Sequence, residues 1–96
     1  MIFVGSADNY IYCLDKSSSK EVWRFKCDHQ VSGSPMIYNE SLYFGSADGS
    51  FYCLDYKTGR QRWKYLTQGL ITGTPCAGND MIFIGSSDHK LYAFLP

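Results

Sequence analysis

At 96 residues the chain is one domain at most, and a domain of this size buries only a modest fraction of its surface. Nine Lys and Arg balance nine Asp and Glu, so the basic stripe that grips a phosphate backbone is absent and nucleic acid is not an expected partner. The composition, 45% hydrophobic and 17% aromatic, favours strands. No apolar run approaches the roughly 18–20 residues of a membrane helix, so no membrane-spanning segment is expected.

The chain enters a strand pattern at once, in Met1-Ile2-Phe3-Val4-Gly5-Ser6. Neither a basic n-region nor a long apolar h-region is present, and the expected location is cytoplasmic if Met1 is the native start. From there the sequence repeats every 40 positions without a gap. Gly5-Ser6-Ala7-Asp8 returns as Gly45-Ser46-Ala47-Asp48 and as Gly85-Ser86-Ser87-Asp88. Tyr12-Cys13-Leu14-Asp15 returns as Tyr52-Cys53-Leu54-Asp55, with Tyr92-Ala93-Phe94 as the third version. Trp23 returns as Trp63, Gly33 as Gly73 and Pro35 as Pro75. The expected organisation is a single domain over 1–96, with repeat copies 1–40, 41–80 and 81–96. A period near 40 marks propellers or helical arrays.

Within one period the apolar residues alternate or form short runs, as in Leu42-Tyr43-Phe44, and helical spacing is absent. Two-residue turn signals stand at Asp8-Asn9, Asp48-Gly49 and Asp88-His89, where Asn, Gly and His meet one demand for positive φ. Thr58-Gly59 marks the next turn, replaced by Ser18-Ser19 in the first copy. Pro35 and Pro75 suit the first residue of a new strand. The central copy therefore predicts strands at Ser34–Tyr38, Ser41–Ser46, Ser50–Tyr56 and Arg60–Leu66, labelled A to D outward from a propeller axis. Four antiparallel strands in about 40 residues make one propeller blade. The fold expected is all-β, with about two and a half such blades.

The stretch Cys53-Leu54-Asp55-Tyr56-Lys57-Thr58-Gly59-Arg60-Gln61-Arg62-Trp63 resembles the tryptophan-docking motif of pyrroloquinoline quinone-like propellers, Ala-x-Asp-x-x-Thr-Gly-x-x-x-Trp. Gly45-Ser46-Ala47-Asp48-Gly49 is similar to the same family's Gly-Ser-x-Asp-Gly turn. The resemblance implies that Trp23 and Trp63 lie on the outer part of their blades. There they pack on the Ala-position and Thr-Gly peptides of neighbouring blades, with the indole N–H seeking a carbonyl. Cys13 and Cys53 stand at the Ala position, next to Asp15 and Asp55. The third copy opens the motif at Ala93 and reads Leu95 in place of Asp.

The remaining polar residues read as structural. The four Cys form no C-x-x-C pair and match no compact zinc spacing. Cys13 and Cys53 share a place with Ala93, which calls for a small buried side chain, and Cys27 and Cys76 read as quiet thiols, with a disulfide between them as the alternative. An Asp that recurs in every blade reads as a turn cap rather than an acid or base. His29 and His89 are not repeat-equivalent and have no ligand partner near in sequence. Quinone enzymes of the family use an adjacent Cys-Cys pair and calcium-ligating residues on a closed ring, and no Cys-Cys pair occurs here. No catalytic residue, cofactor or metal is therefore expected.

In order, the chain supplies strands B, C, D, then A, B, C, D, then A, B, C. Merging a terminal A-B-C with another chain's B-C-D would duplicate B and C, so the chain reads as part of a larger propeller. Its partners are expected to be proteins, or copies of itself, met through open blade edges. The function expected is a non-catalytic structural or protein-interaction scaffold. The alternative is a segment of a quinone-dependent dehydrogenase whose catalytic residues lie outside this chain.

Overall fold

A computed structural model describes residues 1–6 and 8–95. Ten strands follow one another: β1 (Ile2–Gly5), β2 (Tyr10–Leu14), β3 (Glu21–Lys26), β4 (Val31–Tyr38), β5 (Ser41–Ser46), β6 (Ser50–Asp55), β7 (Gln61–Leu66), β8 (Ile71–Gly78), β9 (Met81–Ser86) and β10 (Leu91–Phe94). They form three antiparallel sheets, ordered β1-β2-β3, β4-β5-β6-β7 and β8-β9-β10. These are blades 1, 2 and 3. The sequence of strands B-C-D, A-B-C-D, A-B-C is thus the one the repeat predicts, and the outer strands of the central blade match to within a residue.

Strand A departs from the expectation. It begins at Val31 rather than Ser34, and Pro35 stands inside it. Val31 and Ser32 pair with Ser46 and Gly45, pairing resumes at Met36 opposite Tyr43, and residues 33–35 bulge opposite Phe44. The same shift separates Thr72 from Cys76 in blade 3. A proline has no N–H to give a ladder, and a bulge asks for none. The strand starts early because Val31 and Ile71 have work at the blade boundary. A Cβ on Gly5 would stand 2.9 Å from Val31 Cβ, and one on Gly45 would stand 2.5 Å from Ile71 Cβ. At both internal boundaries the glycine of the Gly-Ser-x-Asp turn thus lies against the first strand of the next blade.

The A–B connection also escaped the sequence reading. Asn39 and Glu40 have φ 49° and 62°, and Asn79 and Asp80 have 51° and 59°, the two consecutive positive values of a tight primed hairpin turn. The signal was the recurrence of Asn at 39 and 79.

Two apolar layers lie between the blades. The first joins Ile11, Cys13 and Trp23 of blade 1, with Cys27, to Leu42, Phe44, Tyr52 and Leu54 of blade 2. The second joins Tyr43, Phe51 and Cys53 of blade 2 to Ile71, Ile82 and Ile84 of blade 3. Strict alternation sends neighbouring residues of β5 and β6 into opposite layers. Every residue of β5 is therefore buried. Among the described residues no helix is long and apolar enough to cross a membrane.

Substituting Gly45→Ala should push Ile71 off its seat and cost about 1–3 kcal/mol, as overpacking does. Gly78→Ala, where the nearest atom to the new methyl is Phe83 Cε2 at 3.9 Å, should stay within about 0.5 kcal/mol of the parent. Urea denaturation followed by tryptophan fluorescence compares the two.

Candidate functional site

Strand D carries the tryptophans, and a bulge sets their direction. Cys13 pairs with Trp23 but Leu14 pairs with Glu21, leaving Val22 as the extra residue. Cys53 pairs with Trp63 and Leu54 with Gln61, leaving Arg62. Trp23 is thereby held in the first apolar layer, 8% exposed, with Phe3 5.9 Å away between ring centroids. Its Nε1–H donates to the carbonyl of Tyr56 in blade 2 at 2.9 Å. Its ring lies over Gly59, where an added Cβ would meet Trp23 Cδ2 at 2.5 Å and Cε3 at 2.6 Å, and where φ is +76°. Two independent demands, no Cβ and positive φ, therefore converge on Gly59.

Trp63 has a different setting. It stacks on Phe94 of blade 3 at 5.3 Å and packs beside Tyr43 and Phe51, and it is half-buried. The position equivalent to its carbonyl acceptor is Pro96, which lies outside the described residues.

In blades 1 and 2 the C–D turn, which in blade 2 seats Trp23, is tied by an aspartate. Asp55 Oδ1 accepts from the N–H groups of Lys57 (2.8 Å) and Thr58 (3.3 Å), and Asp15 Oδ1 accepts from those of Ser17 and Ser18. Thr58 Oγ1 accepts from Arg60 N–H at 3.2 Å. The bulged Arg62 turns back to donate to Asp55 Oδ2 at 3.0 Å and to Ser41 Oγ at 2.7 Å. The Lys57 N–H, and then Arg62, hold the Asp55 carboxyl below the usual carboxylate range. The Ser17 hydroxyl does the same for Asp15.

The B–C turns form a second set. Asn9, Gly49 and His89 have φ 72°, 91° and 69°. Asp8 Oδ1 accepts from Tyr10 N–H, Asp48 Oδ1 from Ser50 N–H and Asp88 Oδ1 from Lys90 N–H, each at 3.0 Å. Tyr12 and Tyr92 donate their hydroxyls to Asp8 and Asp88 at 2.6 Å, lowering those two carboxyls. In blade 2 the equivalent Tyr52 is buried in the first layer. Asp48 bonds the Ser46 hydroxyl instead and meets His29 Nδ1 at 3.3 Å. Burial opposes ionisation of Asp48, but the Ser46 and Ser50 bonds and His29 outweigh it and its carboxyl is lowered too.

Over these turns pass the links between blades. Cys27 and Thr67 donate backbone N–H to the carbonyls of Asn9 and Gly49. The carbonyls of Gln30 and Leu70 accept from Ala47 and Ser87, both at 2.8 Å. Sequence reasoning missed Arg62, His29 as a partner of Asp48, and these links, because each partner lies in a different strand or blade. Cys13, Cys27 and Cys53 are buried free thiols and Cys76 is exposed. Burial pushes the Cys27 thiol up to about 12. Among the described residues no three His, Cys, Asp or Glu side chains converge to hold a metal ion.

A family model described as outer membrane protein assembly factor BamB matches residues 1–96. The chain belongs to that family of quinoprotein-like propeller repeats. BamB from Moraxella catarrhalis superposes with a TM-score of 0.82 at 25% identity, covering 96% of this chain and 29% of that one. The computationally designed Ika4 protein superposes at 0.85 with 15% identity, covering 97% and 58%. A europium-containing methanol dehydrogenase superposes at 0.75 with 24% identity, covering 88% and 18%. The chain thus spans less than a third of the BamB it resembles, and the last two likenesses speak for the fold alone. No curated protein matches it.

Replacing Trp23 by Ala should cost about 3–5 kcal/mol, as large aromatic truncations do. Trp23→Phe, which keeps a ring but leaves the Tyr56 carbonyl without its donor, should cost about 1–3 kcal/mol. Gly59→Ala should rival the milder of the two. A Gly59→Ala variant as stable as the parent would show that the ring does not need this seat.

The lowered carboxyls fix the sign of the acid response. Asp8, Asp15, Asp55 and Asp88 hold protons less readily folded than unfolded, so the stability they add is present above the ordinary carboxylate range. It is lost as pH falls through their lowered folded values, below about pH 4. The urea midpoint should therefore fall between pH 5 and pH 3, and less steeply in Asp55→Asn.

Proposed function

We propose that the chain is a non-catalytic propeller module, a structural or protein-interaction scaffold that forms part of a larger propeller. The observation that carries this reading is where the repeated polar groups are engaged. Asp8, Asp48 and Asp88 cap one turn of each blade, Asp15 and Asp55 cap another, and the Trp23 N–H closes on a backbone carbonyl. A carboxylate already bonded to two or three local donors is a poor general base. Membership of the assembly-factor family supports the same reading.

The contact surface is apolar and lies at the two ends of the blade stack. Ile2 and Val4 of blade 1, and Leu91 and Leu95 at the end of blade 3, are exposed. Exposed apolar faces of this kind meet protein partners or copies of the same chain.

The alternative is a segment of a quinone-dependent dehydrogenase whose catalytic residues lie outside this chain. Within the chain no two cysteines are adjacent, and three of the four are buried in the blades, so it supplies no cysteine pair to a quinone. Titrating the chain with pyrroloquinoline quinone and calcium, read by tryptophan quenching, should give only the linear loss of inner filtering. Saturable quenching would replace the scaffold reading with the dehydrogenase one.

A further inference from the structure

We propose that the outer rim of blades 1 and 2 is a docking surface for an acidic segment of a partner protein. The inference rests on the scaffold reading and adds to it a surface that is cationic rather than apolar.

The even charge balance of the sequence counts charges without placing them, and in the fold they separate. Lys16, Lys20, Arg24 and Lys26 lie on the C–D turn and strand D of blade 1. Lys57, Arg60, Arg62 and Lys64 lie on those of blade 2. All of them are exposed. Of the nine basic residues only Lys90 stands elsewhere, and of the nine acidic ones only Glu21 falls within 16–26 or 57–66. The other acids sit at the ends of the blades, with Asp8, Asp48 and Asp88 in B–C turns and Glu40 and Asp80 in A–B turns. Asp15 and Asp55 open the C–D turns, but there the turn N–H groups occupy them.

Two positions keep a cation from one blade to the next while its type changes: Lys20 becomes Arg60, and Arg24 becomes Lys64. The repeat therefore preserves the charge and not the side chain. Arg24 is paired with Glu21, Arg62 with Asp55 and Lys64 with Asp28. Lys16, Lys20, Lys26, Lys57 and Arg60 have no ion pair among the described residues. Most of the rim's positive charge is thus left for an outside partner.

Strands β3 and β7 are the edges of their sheets, and charge on an edge keeps it from pairing with other sheets. That task is served by either sign, and a surface made for solubility mixes the two. A rim of one sign does more: it attracts opposite charge and repels its own kind, including other copies of this rim. Two neighbours favour a peptide over a phosphate polymer. Val22 and Leu66, 46% and 64% exposed, lie on the same strands and offer apolar contact between the cations. Asp8, Asp28 and Asp48 stand at the B–C end of these blades, where they repel a long polyanion. A short segment of mixed Glu or Asp and apolar residues meets the cations and avoids that end.

The test is fluorescence anisotropy of a fluorescein-labelled peptide of repeated Glu-Glu-Val, titrated with the chain. Binding should saturate and should weaken as salt is added. Lys20→Glu combined with Arg60→Glu should weaken it about tenfold or more, with the far-ultraviolet spectrum unchanged. Lys16→Gln with Lys57→Gln, a milder change in the exposed turns, should weaken it about threefold. Lys90→Glu, which reverses the one cation off the rim, should bind as the parent does. Absence of saturation, indifference to both rim pairs, or equal loss in Lys90→Glu would each overturn the docking surface. An oligothymidylate of equal charge that binds as tightly as the peptide would overturn it in favour of nucleic acid. Quinone titration is read separately, so failure of the scaffold reading remains distinct from failure of this one.

Discussion

The structure turns on an indole ring laid across a peptide that has no side chain. Trp23 can lie there only because Gly59 has no Cβ, and Gly59 is in place only because the turn gives it a positive φ. The turn is held in that shape by Asp55, which binds the N–H groups of Lys57 and Thr58. The same turn presents the Tyr56 carbonyl to the indole N–H. On the other side, the strand D bulge places Trp23 opposite Cys13, a small side chain that lets the ring come inward. Each step depends on the one before it, and together they fasten blade 1 to blade 2 beside the apolar layer that the two share. A buried aromatic with its one polar atom satisfied supplies large apolar contact at little desolvation penalty.

Much of this was legible at the level of the repeat, and less at the level of contacts. The period of 40, the alternation in β5 and β6, and the Asp-Asn, Asp-Gly and Asp-His signals were sufficient to place ten strands in three sheets. They worked because strand faces and turn dihedrals are local properties. Pro35 misled, because a proline at a strand start and one in a bulge satisfy the same lack of an N–H. The Asn39-Glu40 turn went unread because Glu has no preference for positive φ; only Asn39 carried the hint. The Trp23 acceptor is a backbone carbonyl 33 residues away, and a carbonyl has no letter in a sequence. His29 beside Asp48 and Arg62 beside Ser41 are likewise products of folding, since their partners come from other strands.

The departures from the repeat carry more information than the repeat itself. Identical positions build the blade, and an identical blade stacks without preference. Where copies differ, the boundary changes. Val22 becomes Arg62, and the bulge gains a tie to Asp55 and Ser41. Tyr12 bonds Asp8 while Tyr52 is drawn into the apolar layer, freeing Asp48 for Ser46 and His29. Ser19 of blade 1 becomes Gly59 in blade 2, and a turn that carries a Cβ becomes one that seats the Trp23 ring. In an array held by nearest-neighbour contacts, such differences are the means by which one boundary is told from another. They make the boundary between blades 1 and 2 unlike that between blades 2 and 3. The specificity of this module therefore resides in a few unrepeated side chains laid over a frame of repeated ones.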